Sequence, residues 1–166
     1  MTLRVVVLVA SLTLTSCQAT TAPTAISVPG VSIMLPPTSI NFTTTVAPLD
    51  TGDVVGFPLD TIEVDARSLL VAVANTSDLR SKGLMGVVDL GDVGGMLFEW
   101  DELVMGRFWM KDTLIPLDIV FFVADGRQVG SASMTPCEVD PCARYGSDGA
   151  YRWALETPAG AISNSS

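Results

Sequence analysis

Histidine is absent from the 166 residues, and cysteine occurs three times. The chain therefore lacks the commonest metal ligand and the side chain that most often moves protons near neutral pH. Two thiolates left after any other use of one cysteine do not close a zinc site. Cations are also scarce: 9 Lys and Arg stand against 18 Asp and Glu, a net charge of −9. That balance offers no basic footprint for nucleic acid and little attraction to anionic lipid headgroups, so no nucleic-acid partner is expected. No nucleophile elbow, phosphate loop or dinucleotide fingerprint is present, so no cofactor is expected. Methionines (Met85, Met96, Met105, Met110, Met134) raise the thought of Cu(I), but their spacing is irregular and they suit an apolar core better.

The N-terminus carries a location signal. Arg4 gives a positive start, and Val5 to Leu14 give an uncharged apolar run. A run of that length is shorter than the roughly 20 residues of a membrane-spanning helix and reads as a secretory signal over residues 1–16. It ends in Leu14-Thr15-Ser16-Cys17, which looks like the lipobox of a bacterial lipoprotein. The expectation is cleavage before Cys17, acylation of its sulfur, and an extracytoplasmic protein anchored to a bacterial membrane through that lipid. Cys137 and Cys142 then remain. Outside the cytoplasm they are expected to form a structural disulfide, worth about 2 kcal/mol on the chain-entropy argument. A redox-active pair is the alternative, though reactive dithiols are usually two residues apart.

Residues 17–50 form the second region. From Gln18 to Leu49 there is no charge, and Thr, Pro and Ala dominate. The composition reads as a semi-extended tether. Ile26, Val28, Val31, Ile33 and Leu35 exceed what a linker needs, which leaves room for an added strand.

Residues 51–166 carry the globular domain. Thr61 to Ala74 predicts a long strand or hairpin, and Asn75-Thr76-Ser77-Asp78 a helix start stopped at Gly83. Gly94 to Trp100, Phe108 to Met110, Leu117 to Ala124, Gln128 to Met134 and Tyr151 to Glu156 read as strands. Asp125-Gly126 marks a hairpin turn. The sum is a mainly β (α+β) domain, a small barrel or sandwich with one or two short helices.

Motifs along this domain match a known family. In order they are Asp78-Leu79-Arg80-Ser81-Lys82-Gly83-Leu84-Met85, Gly95-Met96-Leu97-Phe98, Phe108-Trp109-Met110-Lys111-Asp112-Thr113 and Ile115-Pro116-Leu117-Asp118-Ile119. Asp125-Gly126, Pro136-Cys137, Asp140-Pro141-Cys142, Tyr145 and Ala159-Gly160 follow. The set resembles the family called domain of unknown function 192, over residues 68 to 160. The resemblance implies a compact β-rich domain, often secreted or lipid-anchored, and brings no activity with it. Three departures stand out. Val87 replaces a usual Arg, and Asp112 a usual Asn. The chain ends six residues after Gly160, where relatives continue through another hairpin. The last departure predicts a sheet edge left unpaired or covered by the tether.

The candidate site follows from charge inside the most apolar segment, Phe108 to Phe122. Lys111, Asp112 and Asp118 there must be paired, hydrogen-bonded or exposed. Asp118, Asp112 and Lys111 are the catalytic candidates, as acid, base or anion clamp. With Trp109 and Tyr145 as stacking faces, they are also the binding candidates. The plainer alternative is a buried Lys111–Asp118 pair that fixes strand register, with Trp109 in the core. The leading expectation is a non-catalytic binding or accessory domain of the cell envelope with an unknown ligand or protein partner. A small hydrolase or lyase using Asp112 or Asp118 with Lys111, and a purely structural protein, are the alternatives.

Overall fold

A computed structural model describes residues 2–5 and 48–162. The chain divides into two units, Met1–Leu8 with Leu49–Ser166 and Val9–Pro48. Apart from Pro48, the described residues belong to the first. Val6 to Ser16, the acylation candidate Cys17, and Ile26 to Leu35 lie outside them.

The strands are β1 (Leu3–Val5), β2 (Leu59–Val64), β3 (Arg67–Ala74), β4 (Gly95–Val104), β5 (Phe108–Trp109), β6 (Leu117–Phe122), β7 (Gln128–Met134), β8 (Arg144–Tyr145) and β9 (Tyr151–Pro158). Among the described residues one helix, α1 (Ser77–Lys82), lies between β3 and β4. The domain is mainly β with one short helix, as its sequence predicts. Seven strands form one mixed sheet in the order β1-β2-β3-β4-β9-β6-β7, and β5 pairs with β8 apart from it.

Of the two expected shapes, barrel or sandwich, a closed barrel is not formed by the described residues. The large sheet ends at β1 and β7, and one isolated bridge, Thr2 to Arg127, links their neighbourhoods. Closure needs a continuous ladder between the end strands. Here β1 has three residues, and the Leu3 amide bonds the Gly126 carbonyl at the β6–β7 turn instead of running along β7. Leu3 is buried against Ile62, Val64 and Phe122. Thus part of the segment read as a signal serves as an edge strand in the full chain. No described helix is long and apolar enough to cross a membrane.

Local sequence explains most elements. The Thr76 hydroxyl accepts from the Leu79 amide at 3.3 Å and caps α1. Asp78 lies in its first turn, Arg80 and Lys82 in its last, matching the helix dipole. β2 and β3 form the predicted hairpin through Asp65 and Ala66, both at positive φ as a type I′ turn requires. All of β6 is buried, as its two-sided apolar pattern predicts. β3 and β4 run parallel, and the crossover between them carries α1 and the loop 83–94.

That loop is fastened to the chain entering β2. Asp50 and Asp92 exchange bonds, amide to carboxylate at 3.0 Å and amide to carbonyl at 2.7 Å. Asp53 accepts from the Val88 and Asp89 amides, each at 3.0 Å, and donates its own amide to the Asp89 carbonyl. Gly52 and Gly91 both sit at positive φ here, with no room for a Cβ against the opposing backbone. The clasp holds Leu84, Val87, Leu90 and Val93 in the core below the sheet.

Candidate functional site

The side chains of β4, β6 and β9 alternate between two apolar clusters. Met96, Phe98, Ile119, Phe121 and Ala154 face one; Leu97, Val120, Phe122 and Leu155 face the other. Strand pairing places Glu156 between Met96 of β4 and Ile119 of β6. Its carboxyl therefore enters the first cluster, where it is 5% exposed. Among the described residues it receives no hydrogen bond and no ion pair. Burial pushes its pKa up to about 8. That direction favours the protonated acid at neutral pH, which can donate a proton in a hydrogen bond as well as accept one.

Glu156 faces space as well as side chains. It lines a cleft of about 40 Å³ with the α1 C-terminus and its Gly83 stop, Phe98, Phe108, Trp109 and Thr113. A water needs about 10–15 Å³ on this measure, so the cleft admits a few waters or one small polar group. Ser81, Lys82 and Trp109 of the lining are exposed, so the cleft opens to solvent. Three of the motif segments converge on it: Arg80 to Met85, Phe98, and Phe108 to Thr113. Glu156 is the one acidic side chain in its wall.

Apart from Glu156, the charged side chains of the wall are cations. They are Arg80 and Lys82. Arg80 Nη1 donates to the Glu99 carbonyl at 2.8 Å, and the guanidinium lies over Trp100. Lys82 Nζ donates to the Val55 carbonyl at 3.1 Å and lies over Phe57. Arg144 and Lys111 stand over Trp109, at 4.4 and 5.6 Å from its ring centroid. None of these contacts is with a carboxylate. Behind the cleft, Tyr151 packs against Phe121 and Trp100; its hydroxyl is buried without a partner, and burial pushes its pKa up to about 12.

The residues singled out in the sequence are distributed differently. Asp118 is buried and fully engaged: Ser133 Oγ donates to one oxygen at 2.6 Å and the Gly160 amide to the other at 2.8 Å. Its partners come from β7 and the turn after β9, so the register role falls to Ser133 and Gly160 instead of Lys111. Asp112 is exposed in the turn after β5 with φ of 55°. The Asp112 carbonyl accepts from the Gly86 amide at 2.8 Å, joining this turn to the loop after α1. Trp109 is half-exposed in the cleft wall, not in the core, and Arg144 covers one face of it. Tyr145 pairs with Phe108 across β5–β8 and does not line the cleft. Cys137 and Cys142 bring their sulfurs together in the loop leading to β8. Met96, Met110 and Met134 are core residues, whereas Met105 is exposed.

In the sequence Glu156 reads only as the end of a strand. It ends a run, Trp153-Ala154-Leu155-Glu156, that gives no hint which neighbours flank it. Strand alternation puts it on the Ala154 face, but only the pairing with β4 and β6 shows that this face is buried.

The profile of an established family matches residues 60–166. The chain belongs to that family. It is DUF192, described as Uncharacterized ACR. Two solved structures resemble this DUF192 member. One is a protein of unknown function from Novosphingobium aromaticivorans, 30% identical with a TM-score of 0.56, covering 69% of this chain and 83% of that one. The other, from Sinorhizobium meliloti, is provisionally described as a transcription regulator. It is 31% identical with a TM-score of 0.52, covering 58% of this chain and 73% of its own. No curated protein matches the chain.

Proposed function

We propose that this DUF192 protein is a non-catalytic binding domain, held outside the cytoplasm by lipid on Cys17, with the Glu156 cleft as its ligand site. Glu156 carries the reading. Setting a carboxyl without a protein partner on a buried sheet face costs stability even when it is protonated, and an apolar side chain in its place would avoid that cost. Costs of this kind concentrate at functional sites, where a buried group faces an opening. The motif segments at the same opening support the assignment. Arg4, the apolar run to Leu14 and Cys17 support the anchor. On this reading maturation removes β1 and leaves β2 as the sheet edge.

A hydrolase or lyase using Asp112, Asp118 and Lys111 has less support, because Asp118 already has a donor on each oxygen and none of the three lines the cleft. A regulator role, as given for the Sinorhizobium protein, gains nothing from a net charge of −9.

Two measurements test the proposal. Intact mass of protein from the membrane fraction should show acylated Cys17 at the N-terminus, and Cys17→Ser should move the protein to the soluble fraction. A small-fragment titration followed by NMR should give saturable shifts at Trp109 and Gly83 that Glu156→Leu abolishes. Fragments that shift no cleft resonance would remove the binding reading.

A further inference from the structure

Of the 9 Lys and Arg in this acidic chain, Arg80, Lys82, Lys111 and Arg144 gather around one cleft, two in its wall and two over Trp109. Against a net charge of −9, such a grouping makes a local positive field that draws anions. The wall holds one carboxyl, that of the buried residue Glu156, which has no hydrogen-bond partner among the described residues and meets the cleft; no second acidic group lines it. The volume of about 40 Å³ fits a head group of a few heavy atoms. Phe108, Trp109 and Met85 continue the wall with apolar surface.

We infer that the cleft binds the carboxylate head of a small monocarboxylic acid, with the Glu156 carboxyl donating its proton in a hydrogen bond to the ligand and an apolar stem running past Phe108 and Trp109. This rests on the cleft being the ligand site and adds the class of ligand. The proton stays shared between two carboxyl groups, so no covalent bond forms or breaks. One acid and one carboxylate make a strong hydrogen bond, whereas two carboxylates repel. Arg80 and Lys82 offset the ligand's charge from the rim, where they already hold backbone carbonyls and need little reordering.

Glu156 titration therefore controls affinity. The groups that face it decide the direction. β4 and β6 present Met96, Phe98 and Ile119, which are uncharged; α1 presents Arg80 and Lys82; the β5 segment presents Trp109 and Thr113, with Lys111 beyond the ring. With burial raising the pKa to about 8, Glu156 is mostly protonated at pH 7 and mostly ionised at pH 9. Propionate is ionised at both, so its binding should weaken about tenfold between them.

The experiment titrates the full chain with propionate, and in parallel with propionamide, at pH 7 and pH 9, following the backbone amides of residues 80–85 and 108–113 by NMR. Saturable propionate binding that falls about tenfold at pH 9 is the expected result. Glu156→Gln keeps a hydrogen-bond donor without the titration, so it should bind propionate equally at both values. Arg80→Gln with Lys82→Gln should weaken propionate several-fold and leave propionamide unchanged. Propionamide binding without propionate binding would overturn the ligand class and leave the cleft as a site. No binding of either would overturn both. Propionate binding that strengthens at pH 9, or that keeps its pH dependence in Glu156→Gln, would also overturn the inference.

Discussion

Glu156 stands opposite Ile119 in the β9–β6 register, so a carboxyl shares a buried sheet face with an isoleucine. That placement ties stability to pH. In the unfolded chain Glu156 titrates near 4.5, and in the fold near 8. Between those values the folded state holds a proton that the unfolded state releases, so the Glu156 contribution falls by about 1.4 kcal/mol per pH unit as pH rises, and levels off above 8. Glu156→Gln should abolish this slope. Chemical denaturation at pH 5, 7 and 9 should then find the variant gaining on the wild type as pH increases. Parallel curves would mean that the carboxyl is ionised in the fold.

Asp118 should behave as scaffold. Ser133→Ala removes one of its two donors and is expected to cost about 1–2 kcal/mol. Asp118→Asn turns one acceptor into a donor facing Ser133 or the Gly160 amide and should cost more, about 2–3 kcal/mol. The double variant should fall short of the sum, since both changes break the same bond. Full additivity in urea unfolding would show the two side chains to be uncoupled.

The turn at Asp112 makes a sharper contrast. A φ of 55° is tolerated by Asp and Asn and disfavoured for residues with a bulkier Cβ. Asp112→Asn should change stability by less than about 0.5 kcal/mol, and Asp112→Val should cost about 1–2 kcal/mol. On this reading the turn needs the conformation and not the charge. Equal effects of the two substitutions on melting temperature would refute it.

The loop carrying Cys137 and Cys142 leads directly into β8, which seats Arg144 over Trp109. Opening it with Cys137→Ser and Cys142→Ser together should cost about 2 kcal/mol by the entropy of so short a loop. Shielding of Trp109 by Arg144 should weaken as well, visible as increased quenching of tryptophan fluorescence by the neutral quencher acrylamide. Wild-type protein treated with reductant should match the double variant. If reductant leaves the unfolding curve unmoved, the two sulfurs are not bonded.

Leu3 is 3% exposed in β1, within the segment that maturation before Cys17 would remove. Losing its burial is worth about 1.5–3 kcal/mol. A chain starting at Cys17 should therefore unfold at lower denaturant than the full chain. Identical midpoints would show that β1 adds nothing to stability.

Local patterns in the sequence settled several features. Leu117 to Phe122 is apolar at every position but one, and that suffices for a strand covered on both sides. Thr76, Asp78 and Gly83 carry the start and stop of α1 in their own side chains and backbone freedom. Asp125-Gly126 turns the chain because a glycine there accepts positive φ. The ordered motifs identified the family. Each of these is a property of neighbours in sequence, and so legible there. Tertiary structure decided what depends on partners from afar. Asp118 found Ser133 and Gly160, 15 and 42 residues on, in place of nearby Lys111. Whether seven strands close or stay open depends on how their ends meet. Glu156 reads as an ordinary strand residue until β4 and β6 are laid on either side of it. Only then do Met96 and Ile119 take its water away, because burial is fixed by the neighbours of a side chain and not by its own chemistry.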